Sequence, residues 1–366
     1  MGASRLSGLL VLALLLPSCA GAGTSGAGQP ASSSDTTSSP GAPDLSAADA
    51  FLSTYVADDG AVIRHDQGGD VVSEGQAYGM LIAELAGRDD LVRTIWSWTR
   101  AHLQDSDGLL AFHADADGHV LDQQPAADAD TLAAYALLRY AGSDEESLHA
   151  DGKRLAAAVL EHETVSSSGH RVLVAGPWAT TAPAVVDPSY WMPSIFDDLT
   201  RLTGEPAWSD MAKAVVDLTD RATGGARQLP PDWAHLDGGR PTPTGQGGGN
   251  GTPQYGPDAQ RVPLWFAYAC DDRSRSLAAA WWSVLQQDDV SSASALGLDG
   301  SPIDSSGSAL ALLASAAAAR AAGDDSAAGD LEAGAARTEQ GRPSYYGAAW
   351  LALSEGLRSG HLGSCA

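Results

Sequence analysis

The sequence predicts an all-α protein, an (α/α)6 barrel of six inner and six outer helices. Hydrophobic residues make up 44% of the chain, and Ala and Leu far outnumber Val and Ile, which favours helices over sheets. Amphipathic segments recur in closely connected pairs, with few convincing strands between them. The second helix of each pair begins at a cluster of polar or aromatic residues. Six parallel inner helices would bring all these clusters to one end of the barrel.

The hydrophobic pattern places about twelve helices, each with boundaries accurate to several residues. Capping by Ser and Asp is the alternative explanation for the clusters at the inner helix starts, but it explains neither the repeated Tyr nor Glu74. Three longer connections lead into these starts and are expected to form the rim of a cleft, namely 163–188, 223–257 and 288–306. The predicted helices are 45–57, 73–86, 89–103, 128–141, 145–162, 189–203, 206–222, 258–270, 272–287, 307–322, 324–338 and 343–358.

The first residues, 1–18, are expected to be a signal peptide, because their apolar run is too short to cross a bilayer comfortably. The run ends in Leu-Pro-Ser-Cys, which resembles a bacterial lipobox, so we expect Cys19 to be lipidated and to anchor an exported protein to the outer face of the cell membrane. The alternative is an ordinary secretory signal cleaved near 20–22. Residues 19–43 carry almost no bulky apolar side chains and are expected to be a flexible tether.

Charge and cysteine content limit the classes of partner. The formal net charge is -25, with 46 acidic and 21 basic residues, which argues against nucleic acid as a partner because its binding requires clustered Lys and Arg. A neutral or cationic partner remains compatible, and we expect a monomer. Beyond Cys19, the pair Cys270 and Cys365 forms either a disulfide or two separate thiols. The nine His residues show no ligand spacing, so we predict no metal site.

Four carboxyl groups, Glu74, Asp128, Asp130 and Asp258, fall at the same predicted end of the barrel. General acid and base catalysis requires one protonated and one ionised group of this kind. Ser73 can cap the helix that follows, with Gln at its third position completing a capping box. Glu74 would then lie in the first turn, where the helix dipole favours its ionised form. Burial and a neighbouring carboxylate must outweigh the dipole for Glu74 to act as an acid.

Five segments carry a family resemblance. The segment 73–80, SEGQAYGM, resembles the acid-bearing motif of glycoside hydrolase family 8, and 126–138 is similar to the signature of that family. The run 187–190, DPSY, resembles its Asn-Pro-Ser-Tyr element, 229–233 resembles its Pro-Asp-Trp, and 258–263, DAQRVP, resembles its Asp-Ala-x-Arg-Val-Pro. The matches follow the order of the family and span nearly the whole chain after the tether.

The resemblance implies roles for the carboxyl groups. Glu74 takes the proton-donor position, Asp128 matches the Asp that binds and helps distort the sugar at the cleavage point, and Asp258 matches a general base. The family inverts the anomeric configuration, so the two catalytic carboxyls are expected about 6.5 to 9.5 Å apart, with space for one water. Arg261 is expected to orient Asp258 through a bidentate pair, or else to form only a surface bridge.

The sequence departs from the family at several positions. Ala127 stands where the family prefers Ser or Thr, Ala133 where it prefers Ile or Met, and Asp187 where it prefers Asn. Pro257 occupies the place of the Tyr that usually precedes the general base, and Tyr255 lies close by. The last departure bears on how the attacking water is held.

Further residues are candidates for contact with sugar. Asp130 is either a substrate-binding carboxylate or a helix cap, and Arg261 belongs to the same substrate-binding group. Aromatic residues can stack on sugar faces, with ordinary core packing as the alternative for each. The aromatic candidates are Trp178, Tyr190, Trp233, Tyr345 and Tyr346.

Residues 44–366 are therefore expected to form a catalytic domain, an inverting endo-glycosidase that needs no cofactor. The resemblance implies a β-1,4-linked polysaccharide as substrate, with cellulose or a related β-glucan favoured over chitosan or xylan. Chitosan stays open because an acidic protein suits a cationic polymer. Two other classes are also open, a catalytically silent polysaccharide-binding lipoprotein and a helical scaffold of the cell envelope.

Overall fold

A computed structural model describes residues 45–287 and 289–363. These residues contain twelve α-helices, close to the predicted set. The helices are α1 Ser46–Tyr55, α2 Ser73–Leu85, α3 Asp89–His102, α4 Ala127–Arg139, α5 Glu145–His162, α6 Pro193–Thr203, α7 Pro206–Ala222, α8 Arg261–Ala267, α9 Asp272–Leu285, α10 Ala309–Ala321, α11 Asp325–Gly341 and α12 Tyr345–Arg358.

The even-numbered helices form a closed inner ring. Each of them contacts the next even-numbered helix along the chain, and α12 contacts α2, which closes the ring. The odd-numbered helices lie outside: α3, α5, α7, α9 and α11 each pack on the inner helix before them, and α1 packs on α12. The predicted (α/α)6 barrel is therefore confirmed.

Burial separates the inner from the outer helices. In α4 all residues except Arg139 are buried, and α10 buries a continuous run of alanines. Alanine favours the helix and lets neighbouring helices approach closely. The outer helix α3 instead buries one stripe that includes Val92, Ile95 and Trp96, as an amphipathic helix on a core does.

Ten short strands in the described residues were not predicted individually. They have two to six residues each, too few for an alternating pattern to stand out from the loops around them. They form antiparallel sheets in the orders β1-β2-β3, β4-β5, β6-β7-β8 and β9-β10. The strands are β1 Asp70–Val72, β2 Ala111–Asp115, β3 Val120–Pro125, β4 Thr164–Ser167, β5 His170–Leu173, β6 Ala184–Val186, β7 Trp233–Asp237, β8 Arg240–Thr244, β9 Ala295–Leu296 and β10 Pro302–Asp304.

Two inner helices begin three or more residues later than predicted. The predicted helix 189–203 begins at Pro193, and Pro188–Tyr190 forms a separate 3-10 turn. Proline favours the first helical position and disfavours helical geometry in the residue before it, which explains the break. The predicted helix 258–270 contracts to Arg261–Ala267. As a result Tyr190 and Asp258 lie on turns that precede helices, rather than within helices.

Several predictions concern residues that the structure does not describe. The signal peptide, the lipidation site Cys19 and the tether 19–43 lie outside the described residues. Cys270 is disulfide-bonded. Cys365, the candidate partner from the sequence, lies outside the described residues. Within the described chain, no helix combines the length and the apolar character needed to span a bilayer.

Candidate active site

A cleft of about 530 Å³ lies at the end of the barrel where α2, α4 and α8 begin. The long connections 163–188 and 223–257 contribute to its wall, as the sequence predicts, whereas no described residue of the third connection, 288–306, lines it. A cavity of about 570 Å³, lined by residues of α1, α11 and α12 among others, contains none of the predicted site residues. The predicted residues that line the cleft are Glu74, Asp128, Trp178, Tyr190, Trp233, Asp258 and Arg261.

Arg261 joins the carboxyl groups of the cleft. Its side chain is only 2% exposed. Nη1 donates to Oδ2 of Asp128 at 2.8 Å and to Glu74, while Nη2 donates to Oγ of Ser189 at 2.6 Å and to Oδ1 of Asp258 at 3.3 Å. The expected bidentate pair with Asp258 is therefore absent, because the guanidinium divides its donors among several acceptors. A planar group with five donors is suited to this role.

Glu74 lies in the first turn of α2 and receives several hydrogen bonds. The Tyr78 hydroxyl donates to its Oε1 at 2.8 Å and the Tyr346 hydroxyl at 3.4 Å. Burial raises the pKa of Glu74 to about 7; Arg261 opposes this rise, and the charge of Asp128 adds to it. Glu74 therefore meets the requirement that burial and a neighbouring carboxylate outweigh the helix dipole.

The predicted capping box at this helix start is wrong. Ser73 is the first residue of α2, is fully buried, and its hydroxyl has no hydrogen-bond partner in the described chain. The Gln76 side chain points elsewhere: it accepts from the Val62 amide at 2.6 Å and donates to the Gly60 carbonyl at 3.1 Å. Tertiary contacts to the preceding loop, rather than a local cap, hold the start of α2.

Asp258 lies on the turn before α8, and its side chain is 35% exposed toward the cleft. Burial raises the pKa of Asp258 to about 6; Arg261 opposes this, the charges of Asp232 and Asp128 add to it, and a hydrogen bond from the Trp233 side chain lowers it. Glu74 and Asp258 thus contact the same guanidinium, and the pKa values of the two carboxyl groups differ. Near neutral pH this arrangement supplies a protonated and an ionised carboxyl to one cleft.

A fourth carboxyl group, that of Asp187, stands 3.8 Å from Nη2 of Arg261 and is fully buried. Its Oδ1 accepts from the amide of Ser189 at 2.8 Å and from its hydroxyl at 2.7 Å. Burial, and then the charge of Asp258, raise the pKa of Asp187 well above its usual range. One cation cannot neutralise four ionised carboxylates. A protonated Asp187 carries the same charge as the Asn that the family prefers there.

Three predicted aromatic residues form a row along one wall of the cleft. Trp178 is 40% exposed and its ring centroid lies 6.4 Å from that of Trp233, which in turn lies 6.4 Å from Tyr190. The Trp178 indole donates to the carbonyl of Pro125 at 3.2 Å, and the Arg261 guanidinium lies 5.5 Å from the centre of the Tyr190 ring. These contacts fix the rings in position. The exposed Trp178 and the half-buried Trp233 present ring surface that suits stacking on sugars, whereas Tyr190 is only 8% exposed.

The remaining predicted residues lie outside the cleft wall. Asp130 is fully buried and accepts from the Leu110 amide at 2.9 Å. Tyr345 is 1% exposed and its ring packs against Phe51 and Tyr55. Asp130 and Tyr345 therefore have no surface for a substrate. Tyr346 reaches Glu74 from the other side and borders a second cavity of about 340 Å³.

Two residues that hold Glu74 and the turn of Asp258 in place were not among the predicted site residues. Tyr78 follows Glu74 by four positions, a spacing that puts both side chains on one helix face and could have indicated the contact. Asp232 belongs to the Pro-Asp-Trp match; it accepts from the amides of Gly256 and Ala259 at 2.8 Å each and so holds the turn that carries Asp258. Tyr255 is buried and does not line the cleft, so it does not substitute for the Tyr replaced by Pro257.

The turn between β2 and β3 gathers three residues with metal-binding atoms. Asp115, Asp117 and His119 place these atoms within 4.8 Å of one another. The Asp115 carboxylate already accepts from the backbone amides of Asp117 and His119 and contacts the His119 ring. None of the three lines the cleft. The turn is therefore explained by its internal hydrogen bonds.

An (α/α)6 barrel whose helix starts bring two carboxyl groups into an aromatic-lined cleft is an arrangement suited to the hydrolysis of glycosidic bonds. The model of glycosyl hydrolases family 8 matches residues 31–359, and the chain belongs to that family.

Known proteins agree with this assignment. A probable endoglucanase of Novacetimonas hansenii is 32% identical over 227 residues, which are 60% of this chain and 65% of that protein. The chain thus matches about two thirds of the length of this curated relative. The structure of an endo-β-1,4-glucanase from Acetobacter xylinum has a TM-score of 0.71 at 24% identity, covering 86% of this chain and 97% of the other. A β-1,3-1,4-glucanase from Paenibacillus sp. X4 has a TM-score of 0.74 at 21% identity, covering 86% and 91%. These two structures share the fold.

Proposed function

We propose that this protein is an inverting endo-glycosidase that hydrolyses a β-1,4-linked glucan, with Glu74 as general acid and Asp258 as general base. The observation that carries the proposal is the sharing of one guanidinium, that of Arg261, by two cleft carboxyls with pKa values of about 7 and 6. Inverting hydrolysis needs these two protonation states at the same time.

The proposed reaction proceeds in one displacement. Asp258 accepts a proton from a water molecule, whose oxygen attacks the anomeric carbon from the face opposite the leaving group. The bond between that carbon and the glycosidic oxygen breaks, and the oxygen takes the proton of Glu74. Asp128, held by Arg261 at 2.8 Å, binds the sugar at the cleavage point and favours its distorted ring. Exchange of protons with solvent restores both carboxyls.

Charge in the cleft supports a neutral polymer as substrate. Four acidic side chains line the cleft, and three of them, Glu74, Asp128 and Asp258, contact Arg261. Asp122 is the fourth; it is exposed and accepts only from the Gln124 amide among the contacts described. A protonated Glu74 and the single positive charge of Arg261 reduce the net negative charge of the cleft, which weakens its attraction to a cationic chain. Proteins similar to this chain include endoglucanases and a β-1,3-1,4-glucanase.

The decisive experiment uses the purified chain on carboxymethyl cellulose, mixed-linkage β-glucan, chitosan and xylan, assayed for new reducing ends. We expect the two glucans to be cleaved fastest. Proton NMR of the first products should show the α-anomer before mutarotation, because the attacking water enters opposite the β-linked leaving group. Absence of hydrolysis on all four polymers, or initial release of the β-anomer, would refute the proposal.

Chitosan is the second candidate, because Asp122 gives the cleft one carboxylate without a basic partner and the whole chain is acidic. The variant Asp122→Asn separates the two substrates. If chitosan is the substrate, the change should raise KM for chitosan by removing a charge contact. If the substrate is a glucan, KM for the glucan should change little.

We also propose that the protein is exported and anchored by a lipid on Cys19. The support is the apolar run of residues 1–18 followed by a lipobox-like sequence. Expression in a bacterial host of the full chain and of Cys19→Ser, followed by membrane fractionation and mass spectrometry of the mature N-terminus, tests this. We expect the lipid on Cys19 and release of Cys19→Ser; an unmodified N-terminus near 20–22 would indicate secretion instead.

A further inference from the structure

Two carboxyl groups are buried outside the cleft and have no role in the reaction described above. Glu163 follows the last residue of α5, Asp130 lies in the first turn of α4, and both are 0% exposed. Neither carboxyl oxygen of Glu163 has a hydrogen-bond partner among the described residues, and the same is true of Oδ2 of Asp130. An ionised carboxylate in such surroundings is strongly disfavoured. Two of them side by side are disfavoured further.

The charged groups that act on this pair are all acidic. The charge of Asp130 acts most strongly on Glu163, followed by those of Asp128 and Asp105. The charges of Asp105 and Asp128 act on Asp130, which accepts from the Leu110 amide. Burial raises the pKa of Glu163 well above its usual range, and the charge of Asp130 raises it further. Among the described residues, three side chains with metal-binding atoms lie close together at 115–119, and neither Glu163 nor Asp130 belongs to that group. A proton held between the two carboxyl groups would remove one of their two negative charges.

The pair lies where three segments meet behind the cleft. The backbone carbonyl of Glu163 accepts from the Val174 amide at 2.9 Å. The carbonyl of Ala175, the residue after Val174, accepts from the Ala127 amide at 3.1 Å. On the other side, Oδ1 of Asp130 holds the Leu110 amide just before β2. This junction fixes the first turn of α4. That turn also carries Asp128.

We propose that Glu163 is a positioning residue: its protonated carboxyl donates a hydrogen bond to Oδ2 of Asp130, and the pair holds the first turn of α4 so that Asp128 faces the cleft. The proposal rests on the proposed function, in which Asp128 binds the sugar at the cleavage point. Glu163 itself does not touch the substrate.

Such a pair makes folding depend on pH in a defined direction. In the unfolded chain Glu163 ionises above about pH 4.3, whereas in the folded protein it keeps its proton to a much higher pH. The folded state then binds one proton more than the unfolded state, so stability falls as pH rises through this window. Each pH unit lowers the folding equilibrium constant by about tenfold for that proton.

The test compares wild type with Glu163→Gln and Glu163→Ala, and with Glu161→Gln as a control at an exposed position two residues earlier. Urea unfolding is measured from pH 5 to pH 9, and kcat and KM are measured on the glucan that the wild type cleaves. The amide of Gln can donate to Asp130 without a charge. In wild type, Glu163 is expected to lower the folding equilibrium constant by about tenfold per pH unit, and in Glu163→Gln this decrease should be absent. The Gln variant should keep most of the wild-type kcat. Glu163→Ala should lower kcat by tenfold or more with a smaller change in KM, since a misplaced group costs up to about a hundredfold.

Two results would overturn the proposal. One is a Glu163→Gln variant with the same pH dependence of stability as wild type, which would mean that Glu163 holds no extra proton. The other is stabilisation of wild type by added Ca²⁺ at pH 8 that Glu163→Gln abolishes, which would identify a cation in place of the proton. If Glu163→Ala does not fold, the Gln variant alone decides. Failure of the proposed function would instead appear as an inactive wild type, while the unfolding data would still report on Glu163.

Discussion

Arg261 donates a hydrogen bond to Glu74, a residue 187 positions earlier in the chain. The contact joins the start of α8 to the start of α2 across the inner ring, so the barrel must close before the two residues can meet. Through the same side chain Glu74 is connected to Asp128 and Asp258. The proposed acid and base therefore titrate as parts of one cluster rather than as independent groups.

Replacement of Glu74 by Gln should remove the proton that the leaving oxygen needs while keeping the shape of the side chain. We expect kcat on a β-glucan to fall by about 10²- to 10⁴-fold with little change in KM, since general acid catalysis contributes rate enhancements of that size. Steady-state kinetics, with Glu161→Gln as control, measure this. A binding protein without catalysis would show no hydrolysis in wild type and similar affinity in both variants.

The pH dependence of kcat/KM should be bell-shaped. Asp258 must be ionised and its pKa is about 6, while Glu74 must be protonated and its pKa is about 7. Activity should therefore rise through about pH 6, fall through about pH 7, and be greatest between these values. Initial rates over pH 4 to 9 in a constant-ionic-strength buffer give the profile. Activity that stays high beyond pH 9 would exclude Glu74 as the proton donor in its present environment.

The sequence predicts the barrel well because the inner helices, apart from the short α8, are long and apolar, and each follows a distinct polar cluster. It also places Glu74, Asp128 and Asp258 at one end, since all three come at inner helix starts. The sequence does not predict that Asp130, two residues after Asp128, faces away from the cleft, because helix periodicity fixes a relative direction but not which face is buried. Nor does it predict that Arg261 divides its donors among several acceptors. That arrangement depends on contacts between residues more than a hundred positions apart.

Loss of Arg261 should destabilise the fold in a pH-dependent way. The variant Arg261→Met leaves Glu74, Asp128 and Asp258 without their shared cation, and removal of one partner from a buried ion pair costs about 3–5 kcal/mol. Because Arg261 lowers the pKa values of Glu74 and Asp258, both should rise in the variant. Carboxyls with raised pKa values in the folded state cost stability as pH increases, so the loss should be greater at pH 8 than at pH 5.

Urea unfolding at these two pH values measures the effect of Arg261→Met, with the exposed Arg88→Met as control. Activity should be lost at both pH values, because Asp128 and Asp258 lose their common anchor. A destabilisation that is equal at pH 5 and pH 8 would show that the carboxyls do not depend on Arg261 for their charge state.

Trp233 combines two contacts that mutation can separate. Its side chain donates a hydrogen bond that lowers the pKa of Asp258, and its ring stands between Trp178 and Tyr190 in the aromatic row. In Trp233→Phe the ring face remains but the donor is lost, so the pKa of Asp258 should rise. The acidic limb of the kcat/KM profile should then move to higher pH by up to about one unit, since a hydrogen bond to a charged group is worth about 1.5 kcal/mol and one pKa unit about 1.4 kcal/mol.

Trp178→Phe is the matched control, because Trp178 donates to the Pro125 carbonyl instead, and it should leave the acidic limb in place. A shift of equal size in both variants would assign the effect to altered sugar binding rather than to the bond between Trp233 and Asp258.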